Sequence, residues 1–135
     1  MSQVHSKLYY HFVWSTKNRQ KIINSSVENI LDKYVPSKIQ ELGFRYFSHN
    51  MVYDHIHILV SIKPSIAISD FVRRVKGFTS YCVNQILQDQ VLYWQSGFGV
   101  YSVSEKDVSM IDNYVINQKR KHLNNELIEE LEKFN

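Results

Sequence analysis

The sequence predicts an α+β protein of ferredoxin-like (RRM-like) layout: four antiparallel strands in the order β-α-β-β-α-β, followed by a late helix. Three observations carry this. Residues 55–62 alternate strictly, with Ile56, Ile58, Val60 and Ile62 on one face and His55, His57, Leu59 and Ser61 on the other, as a strand requires. Two longer stretches repeat apolar residues at helical spacing. Short segments dense in aromatic and β-branched residues flank them. In this layout the first and third strands are central, both helices cover one sheet face, and the other face is left for function.

Taken in order, Leu8 to Ser15 reads as the opening strand, and Thr16 to Lys21 as a basic polar loop. Ser25 or Ser26 suits the cap of a helix carrying Val27, Ile30, Leu31, Ile39 and Leu42, with Pro36 a potential kink and Gly43 at its end. Arg45 to Tyr53 and His55 to Ile62 are the second and third strands. After Pro64 comes a helix with Ile68, Phe71, Val72, Val75, Cys82 and Ile86 as its apolar stripe. Gly97 to Val103 is the fourth strand. Ser104-Glu105-Lys106-Asp107 matches a capping box opening the last helix, with Val108, Ile111 and Val115 inward.

The 135 residues suit one domain, 1–135, ending in an acidic tail from about 123, and no linker or repeat divides them. A single cysteine, Cys82, excludes an internal disulfide and any multi-cysteine metal centre. No apolar run is long enough to span a bilayer, and none at the start resembles a signal peptide, so a soluble cytoplasmic protein is expected. The net charge is +3, yet the last ten residues hold Glu126, Glu129, Glu130 and Glu132 against Lys133 alone. The rest is therefore more basic than the total, which favours a polyanionic partner.

The sharpest local signal is His55-Ile56-His57. Residues two apart on a strand point the same way, so both imidazoles can reach one ion, although a pair of surface histidines fits the same spacing. Tyr114 and Gln118 lie four apart and share a face of the last helix. Packing explains either residue alone. Together, two imidazoles and a carboxamide leave nearly the full charge on a divalent ion, which can stabilise a phosphoryl transition state. A tyrosine beside it can form a phosphotyrosine that conserves the energy of the cut ester. No GxxxxGK[ST] phosphate loop is present, as expected if rejoining needs no nucleotide.

At this point the chain resembles the single-tyrosine HUH transposases of small insertion sequences, the TnpA type. The matching segments, in order, are Tyr10 to Arg19, Asp54 to Val60, Phe71 to Gly77, Trp94 to Ser104 and Tyr114 to Gln118. They span nearly the whole chain up to about His122. Tyr53 departs from the pattern, since many relatives have proline there. The resemblance implies His55 and His57 as metal ligands and Gln118 as the third. It implies Tyr114 as the nucleophile that forms a 5′-phosphotyrosine and frees a 3′-hydroxyl. It implies a divalent metal, Mg²⁺ or Mn²⁺, hairpin-ended single-stranded DNA, and a homodimer whose active sites are shared between subunits.

Lys17, Arg19 and Lys21 in the basic loop and Arg73, Arg74 and Lys76 on the second helix are the expected phosphate contacts. His11 is expected to be structural. Trp94 and Phe98 suit base stacking or core packing equally. Two other functions compete: a non-catalytic single-stranded nucleic-acid-binding module, which would not need the His55, His57, Tyr114 and Gln118 set, and a domesticated relative that processes chromosomal repeat hairpins.

Overall fold

A computed structural model describes residues 3–119. Strands β1 (Tyr9–Ser15), β2 (Arg45–Val52), β3 (His55–Ser61) and β4 (Gly99–Val103) form one sheet in the order β2-β3-β1-β4. All neighbours are antiparallel, and β1 and β3 are central as the sequence predicts. Helices α1 (Ser25–Glu41) and α2 (Ile68–Leu87) pack on one face; α3 (Val108–Ile116) lies on the other. The predicted ferredoxin-like layout is the observed one.

The alternation of β3 sorts the two faces. Ile56, Ile58 and Val60 join Phe12 and Trp14 of β1 in the main core, against Val27, Leu31 and Ile39 of α1 and Phe71 and Val75 of α2. Leu59 points the opposite way and meets Val103, Ile111 and Val115 in a smaller cluster beneath α3. Each buried aliphatic side chain contributes about 1.5–3 kcal/mol, so the larger core fixes the sheet and the smaller one fastens α3. Because β3 has a period of two, burying its isoleucines under α1 and α2 puts His55 and His57 on the α3 face.

Several local details differ from the sequence expectation. The cap of α1 is Asn24, whose Oδ1 accepts from the Val27 amide at 3.1 Å, rather than Ser25 or Ser26. An Asn is as good a cap as Ser, and this choice places both serines inside the first turn. Pro36 neither splits nor ends α1, which runs unbroken to Glu41. Gly43, at φ +82°, follows its end. On α2 the buried stripe runs through Phe71, Val72, Val75, Thr79, Cys82 and Val83, while Ile86 is half exposed near the helix end. Strand β4 begins at Gly99 rather than Gly97. Ser104 opens a single 3₁₀ turn, Glu105–Asp107, ahead of α3, and its hydroxyl bonds the Asp107 carboxylate at 2.8 Å instead of capping a backbone amide. The acidic tail and His122 lie outside the described residues.

Candidate active site beneath the last helix

His55 and His57 lie on the α3 face of β3, with ring centroids 5.2 Å apart. Both are fully buried, His55 at 1% and His57 at 0% exposure. Across the strand pair, His57 faces Val13 of β1 and Asn50 of β2. Tyr114, on the buried side of α3, stands with its ring 6.0 Å from that of His57 in an edge-on arrangement. Gln118 follows one turn later, fully buried, with its Nε2 donating to the Tyr114 carbonyl at 3.4 Å. His57 and Tyr114, 57 positions apart in the chain, thus meet between the sheet and the last helix.

In each histidine Nδ1 is engaged by a neighbouring side chain. His55 Nδ1 lies 2.8 Å from Asp54 Oδ1, and His57 Nδ1 lies 2.7 Å from Nε2 of His11. Such bonds orient an imidazole and raise the basicity of its other nitrogen, which is how proteins prepare metal-ligating histidines. Among the described residues no group of three or more His, Cys, Asp and Glu is placed to hold an ion. Imidazole with oxygen donors suits a small divalent cation whose shell is completed by phosphate and water oxygens.

His11, expected from the sequence to be structural, stands against the site histidine His57. It is fully buried on central strand β1, stacked on His57 at a centroid distance of 5.0 Å and 6.4 Å from the Tyr114 ring. Its signal was available: the alternation of β1 puts His11 on the face opposite Phe12 and Trp14, the same face as His57.

The far end of the tyrosine helix is held by polar contacts. Asn50 Nδ2 donates to the Ile116 carbonyl at 2.7 Å, and Asn50 Oδ1 accepts from Lys119 Nζ at 2.8 Å. Lys119 also pairs with Glu28 of α1 at 2.5 Å. Tyr114 is thereby docked over the histidines of its own chain, at 3% exposure.

The expected DNA-contacting cations divide among three places. Arg19 and Lys21 line a cavity that also includes His55. Arg73 and Arg74 lie on α2, across the sheet from the histidines, and both reach the Asp70 carboxylate, at 2.5 and 3.4 Å. Lys76 donates to the carbonyls of Gln95 and Gly97 at 2.8 and 2.6 Å and sits 5.7 Å from the centre of the Trp14 ring. Partial burial lowers its pKa. Lys17 borders a shallow groove with Lys76, Trp94 and Gln95. Trp94 and Phe98 pack against the main core, and the indole of Trp94 donates to Thr79 Oγ1 at 3.0 Å.

A ferredoxin-like sheet with paired histidines under a tyrosine-bearing helix defines a class of DNA-processing protein, and comparison with known proteins gives the family. The sequence profile of the IS200-like transposases matches residues 4–118, and the chain belongs to that family. The ISDra2 transposase TnpA of Deinococcus radiodurans is 26% identical over 121 residues, covering 85% of this chain and 86% of that protein. The transposase for insertion sequence element IS200 of Salmonella typhimurium is 24% identical over 115 residues, covering 81% and 75%. Among solved structures, a putative transposase from Deinococcus radiodurans superimposes with a TM-score of 0.68 at 22% identity, covering 87% of this chain and 96% of its own. A REP-associated tyrosine transposase bound to a REP hairpin does so with a TM-score of 0.64 at 16% identity, covering 90% and 74%. No described helix is long and apolar enough to cross a membrane.

Proposed function

We propose that this chain cuts and rejoins single-stranded DNA at hairpin ends of a mobile element, with Tyr114 as nucleophile and His55, His57 and Gln118 as ligands of Mg²⁺ or Mn²⁺. The observation that carries this reading is the Tyr114 ring standing 6.0 Å from His57, which neighbours His55, with the buried Gln118 one turn after Tyr114. The bound cation would draw charge from the scissile phosphate and favour the phenolate of a group whose pKa is ordinarily ~10. Tyr114 Oη attacks phosphorus, a bond to the phenol oxygen forms, and the bond to the 3′-oxygen breaks. That oxygen leaves as a 3′-hydroxyl, and the 5′-phosphate stays on Tyr114. Attack by another strand's 3′-hydroxyl reverses the step and returns the phenol, so no nucleotide is consumed.

His11 and Asp54 fix the histidine rings, and the Asn50–Lys119–Glu28 contacts fix the height of α3. A homodimer would bring two DNA ends together by symmetry. Since each chain already holds its tyrosine over its own histidines, sharing between subunits requires α3 to leave that seat. The likeness to a transposase solved with a REP hairpin favours a second reading, a domesticated enzyme that acts on chromosomal repeat hairpins. It uses the same chemistry, and terminal hairpins in the DNA beside the gene would distinguish a mobile element from it.

The test is covalent trapping. With Mg²⁺ or Mn²⁺ and hairpin-bearing single-stranded DNA from that flanking region, wild type should give an adduct stable on a denaturing gel. Tyr114→Phe should still bind but give none, and His55→Ala or His57→Ala should give little. An adduct with Tyr114→Phe removes Tyr114 as nucleophile.

A further inference from the structure

The turn between β2 and β3, the basic loop and the end of α3 enclose a cavity of about 530 Å³ that shares His55 with the candidate active site. Its volume falls in the range of small-ligand sites. Ile23, Met51 and Val52 supply apolar surface. Tyr53, 63% exposed, stands at its edge. Three cations, Arg19, Lys21 and Lys119, complete the lining together with the carboxylates of Glu28 and Asp54.

The loop that delivers Arg19 is strained. Asn18 and Arg19 are consecutive non-glycine residues at φ +56° and +52°. Such residues cost about 1–3 kcal/mol each and persist where the surroundings hold them. Here Asn18 N–H donates to Gln95 Oε1 at 2.8 Å, Thr16 Oγ1 donates to the Gln20 carbonyl at 2.6 Å, and Arg19 reaches Asp54 at 3.4 Å. A relaxed surface loop would need none of this. The strain keeps a guanidinium at the cavity beside the carboxylate that orients His55.

From this arrangement we propose that the cavity is a subsite for one unpaired nucleotide of the substrate strand, the one next to the scissile phosphate. The base stacks on Tyr53 over the apolar floor, and its phosphate meets Arg19 and Lys21. Cations alone would bind any anion. The exposed aromatic edge and apolar floor beside them select a ligand with a flat ring and a phosphate, and a strand crossing from this cavity to His55 passes the metal ligands within one nucleotide. The proposal rests on the cleavage reading for the strand's position, but the pocket's ligand chemistry is testable apart from it.

Tyr114→Phe protein, which has no nucleophile at that position, is titrated with deoxynucleoside 3′,5′-bisphosphates in a metal-free, chelator-containing buffer while backbone amide resonances are followed. Shifts are expected at Arg19, Tyr53, Asp54 and His55. Tyr53→Ala should weaken binding about ten-fold, as loss of one base–aromatic stack does, and Tyr53→Phe should not. Deoxyribose 5-phosphate, which lacks the base, should compete poorly. Equal binding of the base-free sugar phosphate, insensitivity to Tyr53→Ala, shifts confined to other residues, or no binding at millimolar nucleotide would each overturn the subsite. None of these depends on adduct formation, so failure of the covalent assay and failure of this proposal are separate results.

Discussion

His11 Nε2 lies 2.7 Å from His57 Nδ1, so of these two buried rings one donates and the other accepts. The bond fixes the ring orientation of His57 and commits its Nδ1. Loss of such an orienting partner usually weakens metal affinity about 10–100-fold. We therefore expect His11→Ala to need a correspondingly higher metal concentration for half-maximal adduct formation, with activity recovered at saturating metal. His11→Gln, which can still bond His57, should lie nearer wild type. An unchanged metal requirement in His11→Ala would reduce His11 to packing.

The contacts of Asn50 with the Ile116 carbonyl and Lys119 lead to a prediction about where the tyrosine acts. Mixing His57→Ala with Tyr114→Phe should restore little cleavage, since each α3 is seated on its own sheet. Adding Asn50→Ala to both partners removes two of the seat's hydrogen bonds, each worth about 0.5–1.5 kcal/mol net. If subunits pair, restoration should then rise. Strong restoration with Asn50 intact would show that the helix exchanges freely despite these contacts.

How much of this was legible in the sequence depends on the range of the interaction concerned. The alternation of β3 is local, and once its isoleucines were assigned to the helix side, the facing of His55 and His57 followed. Tyr114 and Gln118 share a helix face by spacing alone. The same logic puts His11 opposite Phe12, but its partner across the sheet depends on register, which no local pattern states. Asn50 and Lys119 were illegible for a similar reason: they meet only because the helix after β4 crosses back over β2. Ile86 was misassigned because helical periodicity does not show where the neighbouring element ends.

Two groups of cations on α2 should separate by stability. Arg73 and Arg74 are substantially exposed and share the Asp70 carboxylate, so Arg73→Ala and Arg74→Ala should leave the melting temperature nearly unchanged. Lys76 holds the carbonyls of Gln95 and Gly97 ahead of β4. Lys76→Ala should cost about 1 kcal/mol, below the range for charged hydrogen bonds because the group is partly solvated. Thermal melts combined with hairpin binding at several salt concentrations distinguish the roles. A variant that lowers the salt dependence of binding without lowering stability marks a phosphate contact, and Lys76→Ala with wild-type stability would contradict the structural role given to it here.

The last prediction concerns His49, which ties β2 to α1 on the face away from the candidate active site. Its Nδ1 lies 2.6 Å from Tyr46 Oη, and its Nε2 lies 2.8 Å from Asp32 Oδ1, with Glu28 and Lys119 contributing to its electrostatic surroundings. Burial lowers its pKa below the ordinary 6.5, and the Asp32 carboxylate only partly offsets this. Tyr46, for its part, is pushed up to about 12, chiefly by burial, and stays protonated throughout the neutral range. With the folded pKa below the unfolded one, the unfolded chain binds more protons between the two values, so stability rises with pH in that window. The contribution of neutral His49 is therefore fully present above about pH 6.5 and is lost as the pH falls from there towards the lowered folded pKa. His49→Gln keeps a polar side chain that does not titrate. Denaturant melts at closely spaced pH values should show wild type losing stability on acidification from neutral pH, with the slope reduced in His49→Gln. The sign is decisive: a wild-type stability that increases on acidification over this window, and does so through His49, would mean that the Asp32 carboxylate outweighs burial and that the histidine is held in its charged form.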